Sequence, residues 1–380
     1  MKEKIEQKVN FYTNLTFFIV VVLFVGVRIC SYYNLFSFMG TNASYYMSLV
    51  VQIGLIFLFP VFFLGRISKS RTKEVFQFSC YKKTSWKILF AAVFLGVIVF
   101  FLNVYVSNFF NTLISFFGYK HQSAVVSGSA SWITLLLDLV CTAVLPAICE
   151  ETLNRGIMLN GSSMLGMKKS VLLTGLLFGL LHMNIEQFFY ATLIGFLLGY
   201  ICWGCGSIFP CMVVHFMNNA LSVFFSFAAK KGWAIGNIFT KFGNFISQNS
   251  ILGLFIFLFV MFLLVYVGFV LLRYMIAQTV KNRFARRQTE FAKFAMRETY
   301  LKEIEALKND QKVEAPLNTI PANEQEFMRY VENNIEKIVE SATKFEPPTV
   351  KMTTKSKIFL YGAIVLSAAM TILTFVWGIL

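Results

Sequence analysis

Leu145–Leu159 reads LPAICEETLNRGIML, two adjacent glutamates and an arginine inside a stretch that is otherwise mostly apolar. Two further apolar stretches share that contradiction. His182 closes VLLTGLLFGLLH, while His215 and Asn219 interrupt IFPCMVVHFMNNALSV. A charged group at bilayer depth costs about 2.5–3.5 kcal/mol on insertion scales, so ionisable residues kept there mark chemistry or transport. Whether these stretches are membrane helices therefore decides both the fold and the place to look for function.

The surrounding composition answers the first question. With 57% hydrophobic and 14% charged residues and a mean hydropathy of +0.65, the chain departs far from a soluble globular average. Its long apolar runs predict an all-α, polytopic transmembrane bundle. At about 20 residues per span, eight helices are expected near 12–34, 44–65, 86–110, 132–160, 169–184, 187–204, 207–228 and 251–276, with a ninth at 357–379. The run Tyr12–Arg28 continues to spanning length and lacks a small-residue cleavage site, so it reads as a first transmembrane helix and not a signal peptide. Five regions follow: N-terminal helices with a basic loop over 1–130, a core over 131–228, an eighth span within 229–276, a charged segment at 277–356 and a C-terminal helix at 357–380.

Charge sets the expected orientation. Arg66, Lys69, Arg71, Lys73, Lys82, Lys83 and Lys87 face a single acid, Glu74, which by the positive-inside rule places this loop and the N-terminus in the cytoplasm. Alternation then puts 118–131 outside, and 167–169 and the chain after Arg273 inside, in a multi-pass protein of the plasma membrane. The loop with Lys230, Lys231 and Lys241 is discordant. The net charge of +15 concentrates in the expected cytoplasmic segments, and no nucleic-acid module is visible.

Residues 277–356 differ in kind. Phe284, Phe291, Phe294, Leu301, Ile304 and Leu307 recur at helical spacing among charges, and Asn323 with Glu326 reads as a capping box opening a second helix. Two cytoplasmic amphipathic helices are expected, resting on anionic lipid or meeting a protein partner. The seven cysteines give no disulfide framework. Cys202 and Cys205 form an isolated CxxC, and His121 reads as a solvated loop residue.

Helix geometry brings the buried polar groups together. At 1.5 Å per residue, Glu150, His182 and His215 lie about 15, 20 and 12 Å from one membrane face, which predicts one cavity opening to the cytoplasm. Glu151 and Arg155 are i,i+4 in the favourable order and should pair. Glu150 points about 100° away and has no partner on its own helix, as suits a general base. Phe178 sits one turn before His182 as an apolar wall, and Gly175, Gly179, Gly195 and Gly199 form GxxxG pairs that allow close helix approach.

These residues resemble a known family. EETLNR (Glu150–Arg155), FGLLH (Phe178–His182) and HFMNN (His215–Asn219) are similar to the EExxxR, FxxxH and HxxxN motifs of the CAAX prenyl endopeptidase and bacteriocin-processing (CPBP, or Abi) intramembrane proteases. The resemblance spans about Leu145–Val223. Asn154 departs from it, standing where an aromatic residue is common. The resemblance implies hydrolysis of a peptide or membrane-protein substrate, with Glu150 and His182 activating water, His215 and Asn219 stabilising the oxyanion, and Glu151, Arg155 and Phe178 in support. A zinc ion held by Glu150, His182 and His215 is a competing reading, since two histidines and a carboxylate suffice for a catalytic site. Against it, HExxH is absent, and the only further acid to orient a histidine is Glu186, at an outer turn. Other readings are a bacteriocin self-immunity or scaffold protein of the same family and a proton-coupled transporter.

Overall fold

All regular elements among the described residues are helical, as the hydropathy pattern implies for a chain whose backbone polar groups must be satisfied within lipid. The computed structural model describes residues 2–121, 131–249, 251–278, 326–327, 329 and 349–379. Contacts divide the chain into one unit of 1–276 with 349–380 and another of 277–348. Most of the second unit, with the expected capping position Asn323, lies outside the described residues.

We number the helices α1 (Lys2–Tyr32), α2 (Ala43–Ser68), α3 (Thr72–Phe78), α4 (Trp86–Ser115), α5 (Trp132–Gly161), α6 (Met167–Leu181), α7 (Ile185–Cys205), α8 (Phe209–Lys230), α9 (Ile238–Gln248), α10 (Ile251–Gln278) and α11 (Thr354–Ile379). Eight of them are long and apolar enough to cross a membrane, so this is an integral membrane protein. The exception among the nine expected spans is α6. Its 15 residues reach about 22 Å, short of a hydrocarbon core of about 30 Å. The helix stops because the chain turns at His182–Asn184, with Met183 at positive φ, and Asn184 then caps α7 by accepting from the Glu186 N–H at 2.8 Å. Two short helices, α3 and α9, were not expected from hydropathy.

α6 and α7 form the tightest hairpin. A Cβ at Gly195 would lie 2.8 Å from the Gly175 Cα, so this crossing tolerates only glycine. At Gly199 the same atom would make ordinary contact, and the GxxxG expectation holds there only in part. α5 lies between two apolar clusters. It gives Cys149, Leu153 and Met158 to one formed with α1, α2, α6 and α11, and Leu159 to the other, formed with α4, α7, α8 and α10.

The bundle has a basic end and an opposite end. At the basic end Ser207 donates to the Lys82 carbonyl at 2.7 Å, the Cys80 thiol donates to Asn160, and Asn10 donates to the Gly161 carbonyl at 2.9 Å. At the other end Tyr32 stacks on Trp377 at 4.2 Å, and the Lys120 N–H donates to the Gly378 carbonyl at 2.7 Å. α11 is bound into the bundle at both ends: Asn14 donates to Ser356 at 2.9 Å, and Thr374 accepts from the Ile185 N–H at 3.0 Å.

Candidate active site

Three stretches widen from the usual i→i+4 ladder to i→i+5 turns: Val50–Leu58, Leu139–Val144 and Thr152–Met158. Such turns recur at functional sites because they re-aim side chains and free carbonyls. Gln52, Thr142 and Arg155 lie in these three stretches. Pro146 follows the second one and has no N–H to give the Thr142 carbonyl four residues back. Asn219 of α8 donates its amide to that carbonyl instead, at 3.0 Å.

The ion pair expected on α5 is present and fully enclosed. Arg155 Nη1 donates to Glu151 Oε1 at 2.8 Å, with both side chains at 0% exposure, so neither charge is relieved by solvent. The rest of the guanidinium is held from two sides, although its Nε is buried without a hydrogen-bond partner. Nη2 donates to the Gly195 carbonyl at 3.0 Å, and the group lies 4.3 Å over the Phe178 ring.

Glu151 does more than neutralise Arg155. Its Oε1 also accepts from His215 Nδ1 at 2.9 Å, so a residue assigned to helix support directly orients a candidate catalytic imidazole. The second imidazole is oriented by a backbone group. His182 Nδ1 lies 2.8 Å from the Phe178 carbonyl, and because a carbonyl only accepts, Nδ1 carries the proton. With each Nδ1 occupied, both rings have Nε2 left for the cavity they line. Phe178 is the hub of this arrangement, its ring edge-on to His182 at 5.0 Å and to His215 at 5.7 Å.

Glu150 is not alone, contrary to the reading of its helix in isolation. Gln52 of α2 donates Nε2 to Glu150 Oε1 at 2.8 Å. Sequence reasoning passed over Gln52, although it is the one amide in LVVQIGLIFLF (Leu49–Phe59) and a polar residue in such a run signals an interhelical contact. Asn154, where the motif departs from the common pattern, donates to the Glu150 carbonyl at 2.9 Å and so stays on its own helix.

Glu150, Phe178, His182, His215 and Asn219 line one cavity of about 600 Å³. Glu151 and Arg155 lie behind this wall. Two further expectations need correction. His121 is not merely solvated: its Nδ1 is 3.0 Å from Glu186, and its Nε2 donates to the Asn111 carbonyl at 3.0 Å. The cavity does not lead toward the basic end. Phe100, Glu150, Ile194 and His215 lie at its deep end, and its lining continues through Asn111, Glu186 and Gln187 at the opposite end.

A zinc site was the competing reading, and the objection that nothing could orient its histidines falls, since Glu151 and the Phe178 carbonyl do so. The donor set itself does not fit. Among the described residues no three His, Cys, Asp or Glu side chains converge as a ligand group, so no step below passes through a metal. Among the described residues no disulfide joins the cysteines, Cys202 and Cys205 included.

No curated protein and no solved structure matches the chain. A family model does match over residues 132–221, described as type II CAAX prenyl endopeptidase Rce1-like. That segment contains α5 to most of α8 and every motif residue, and it is similar to the Rce1-like, or CPBP, protease family.

Proposed function

We propose that the protein is an intramembrane endopeptidase that hydrolyses a peptide bond with water activated by Glu150 and His182. The observation carrying this reading is that the two imidazoles, each tied through Nδ1, line the same cavity as the Gln52-held carboxylate of Glu150. Gln52 occupies Oε1 and leaves Oε2 as base. Water bound between Glu150 Oε2 and His182 Nε2 gives up a proton as its oxygen attacks the scissile carbonyl carbon, and the carbonyl becomes an oxyanion. Asn219 has a second amide hydrogen beyond the one given to Thr142. A proton on His215 Nε2 would make that ring a second donor, its positive charge facing Glu151. The proton taken from water then passes to the departing amine as the C–N bond breaks. Donors aimed at developing charge in this way contribute about 2.7–4 kcal/mol each in known acyl-transfer sites.

An immunity or scaffold role requires no turnover, and a proton-coupled transporter requires alternating access but no cleavage. Purified protein reconstituted into lipid vesicles with a peptide library distinguishes them. The wild type should cleave and folded Glu150→Gln should not. Equal cleavage by both, or none by either, would refute the assignment.

A further inference from the structure

Next to the turn at His182–Asn184 lies a second cavity, of about 570 Å³, that the chemistry above does not use. Two helix faces build most of it. Arg28 and Tyr32 share one face of α1 at i,i+4, and Thr374 and Trp377 share one face of α11 at i,i+3. The faces meet where both helices end, with Tyr32 stacked on Trp377 at 4.2 Å. Tyr119 and Glu186 complete the wall. Tryptophan and tyrosine gather where hydrocarbon gives way to headgroups, so three such rings around one cavity mark that level of the bilayer.

Arg28 is the charge at this level, half-buried in an otherwise apolar run. Among the described residues no carboxylate pairs with it. Its Nη2 donates to the Met183 carbonyl at 3.4 Å, a long bond that leaves most of the guanidinium's donors for another acceptor. An arginine near a helix end ordinarily snorkels toward bulk headgroups. Here it lines a cavity instead, and basic pockets between spanning helices are where individual headgroups are held. The planar fork of a guanidinium matches two phosphate oxygens at once.

The same cavity carries the opposite charge. Glu186 lines it, with Oε1 3.0 Å from His121 Nδ1, and lines the active-site cavity as well. A bare anion on Arg28 would share the space with this carboxylate, whereas a ligand bearing both signs would satisfy both groups. Exposed apolar side chains continue along the two helices, at Leu23 and Ile29 of α1 and Ile372 and Val376 of α11, and give acyl chains a surface to follow.

We propose that this cavity binds the headgroup of a zwitterionic phospholipid, its phosphate on Arg28 and its ammonium toward Glu186. Through Arg28 and the Met183 carbonyl the bound lipid adjoins the turn that carries His182. The site is independent of the hydrolytic reading, since binding is measurable without turnover and its failure would leave that reading untouched.

Full-length protein in maltoside micelles, titrated calorimetrically with short-chain phosphatidylethanolamine, short-chain phosphatidylglycerol and free phosphoethanolamine, tests it. The phosphatidylethanolamine should bind saturably at one site, and the other two at least about tenfold more weakly. Arg28→Gln should lose at least about tenfold in affinity for it, as expected when a charged hydrogen-bond donor is removed. Glu186→Gln should erase the preference over phosphatidylglycerol. No saturable binding, or undiminished affinity in Arg28→Gln, would overturn the site. Phosphatidylglycerol bound equally or more tightly by the wild type would overturn the zwitterionic class. Free phosphoethanolamine bound as tightly as the lipid would make the ligand a soluble phosphate ester and overturn the lipid. Glu186→Gln leaves the Met183 bond in place and keeps the test decisive should Arg28→Gln fail to fold, because an unchanged preference there would also overturn the proposal.

Discussion

Replacing Arg155 with methionine should cost about 3–5 kcal/mol of stability, and most of that should return when Glu151 is neutralised in the same chain. Two unit charges about 4 Å apart attract by about 4 kcal/mol at an effective dielectric of 20. Glu151 and Arg155 meet at 2.8 Å with no exposure, so solvent screens nothing. Removing one member leaves a buried carboxylate uncompensated, the case in which losses reach about 3–5 kcal/mol. The Gly195 carbonyl also loses its donor, a further cost of about 1 kcal/mol or more. In Arg155→Met/Glu151→Gln no buried charge remains, and the amide introduced at position 151 keeps an acceptor oxygen for His215. The double variant should therefore be more stable than Arg155→Met by about 2 kcal/mol or more. Equilibrium unfolding of the wild type, both single variants and the double variant in mixed micelles gives the coupling directly. Additive effects, or a loss below about 1 kcal/mol for Arg155→Met, would refute the claim that this pair is a tightly coupled, desolvated unit.

Gln52→Leu removes the donor to Glu150 while keeping an apolar side chain on α2. It should lower kcat about 10- to 100-fold with little change in KM, as misplacement of a base does, and an effect confined to KM would make Gln52 a substrate-binding residue. Treating the purified protein with a strong chelator should leave cleavage unchanged, because the candidate donors do not converge on one point. One tightly bound zinc per chain, with activity lost on its removal and restored on its return, would establish the metalloprotease reading.

Composition alone determined that the chain is a helical membrane bundle, because lipid leaves the backbone few other ways to satisfy its polar groups. The i,i+4 spacing of Glu151 and Arg155 likewise made their pairing legible, since both partners share one rigid helix. The family match over residues 132–221 covers the same three motifs that stood out as ionisable groups in apolar runs. Local sequence brought Glu150, His182 and His215 to one cavity, but it did not reveal which side chains bond across helices. Gln52 comes from α2, and Glu151 reaches His215 on α8 at 2.9 Å, although spacing assigned it to Arg155 alone. The shortness of α6 depends on a turn at Met183, not on hydropathy. The direction of the cavity was also beyond depth counting. Distance along a helix says how deep Glu150 lies, but only the packing of α4, α7 and α8 around it decides toward which end of the bundle the cavity's lining runs.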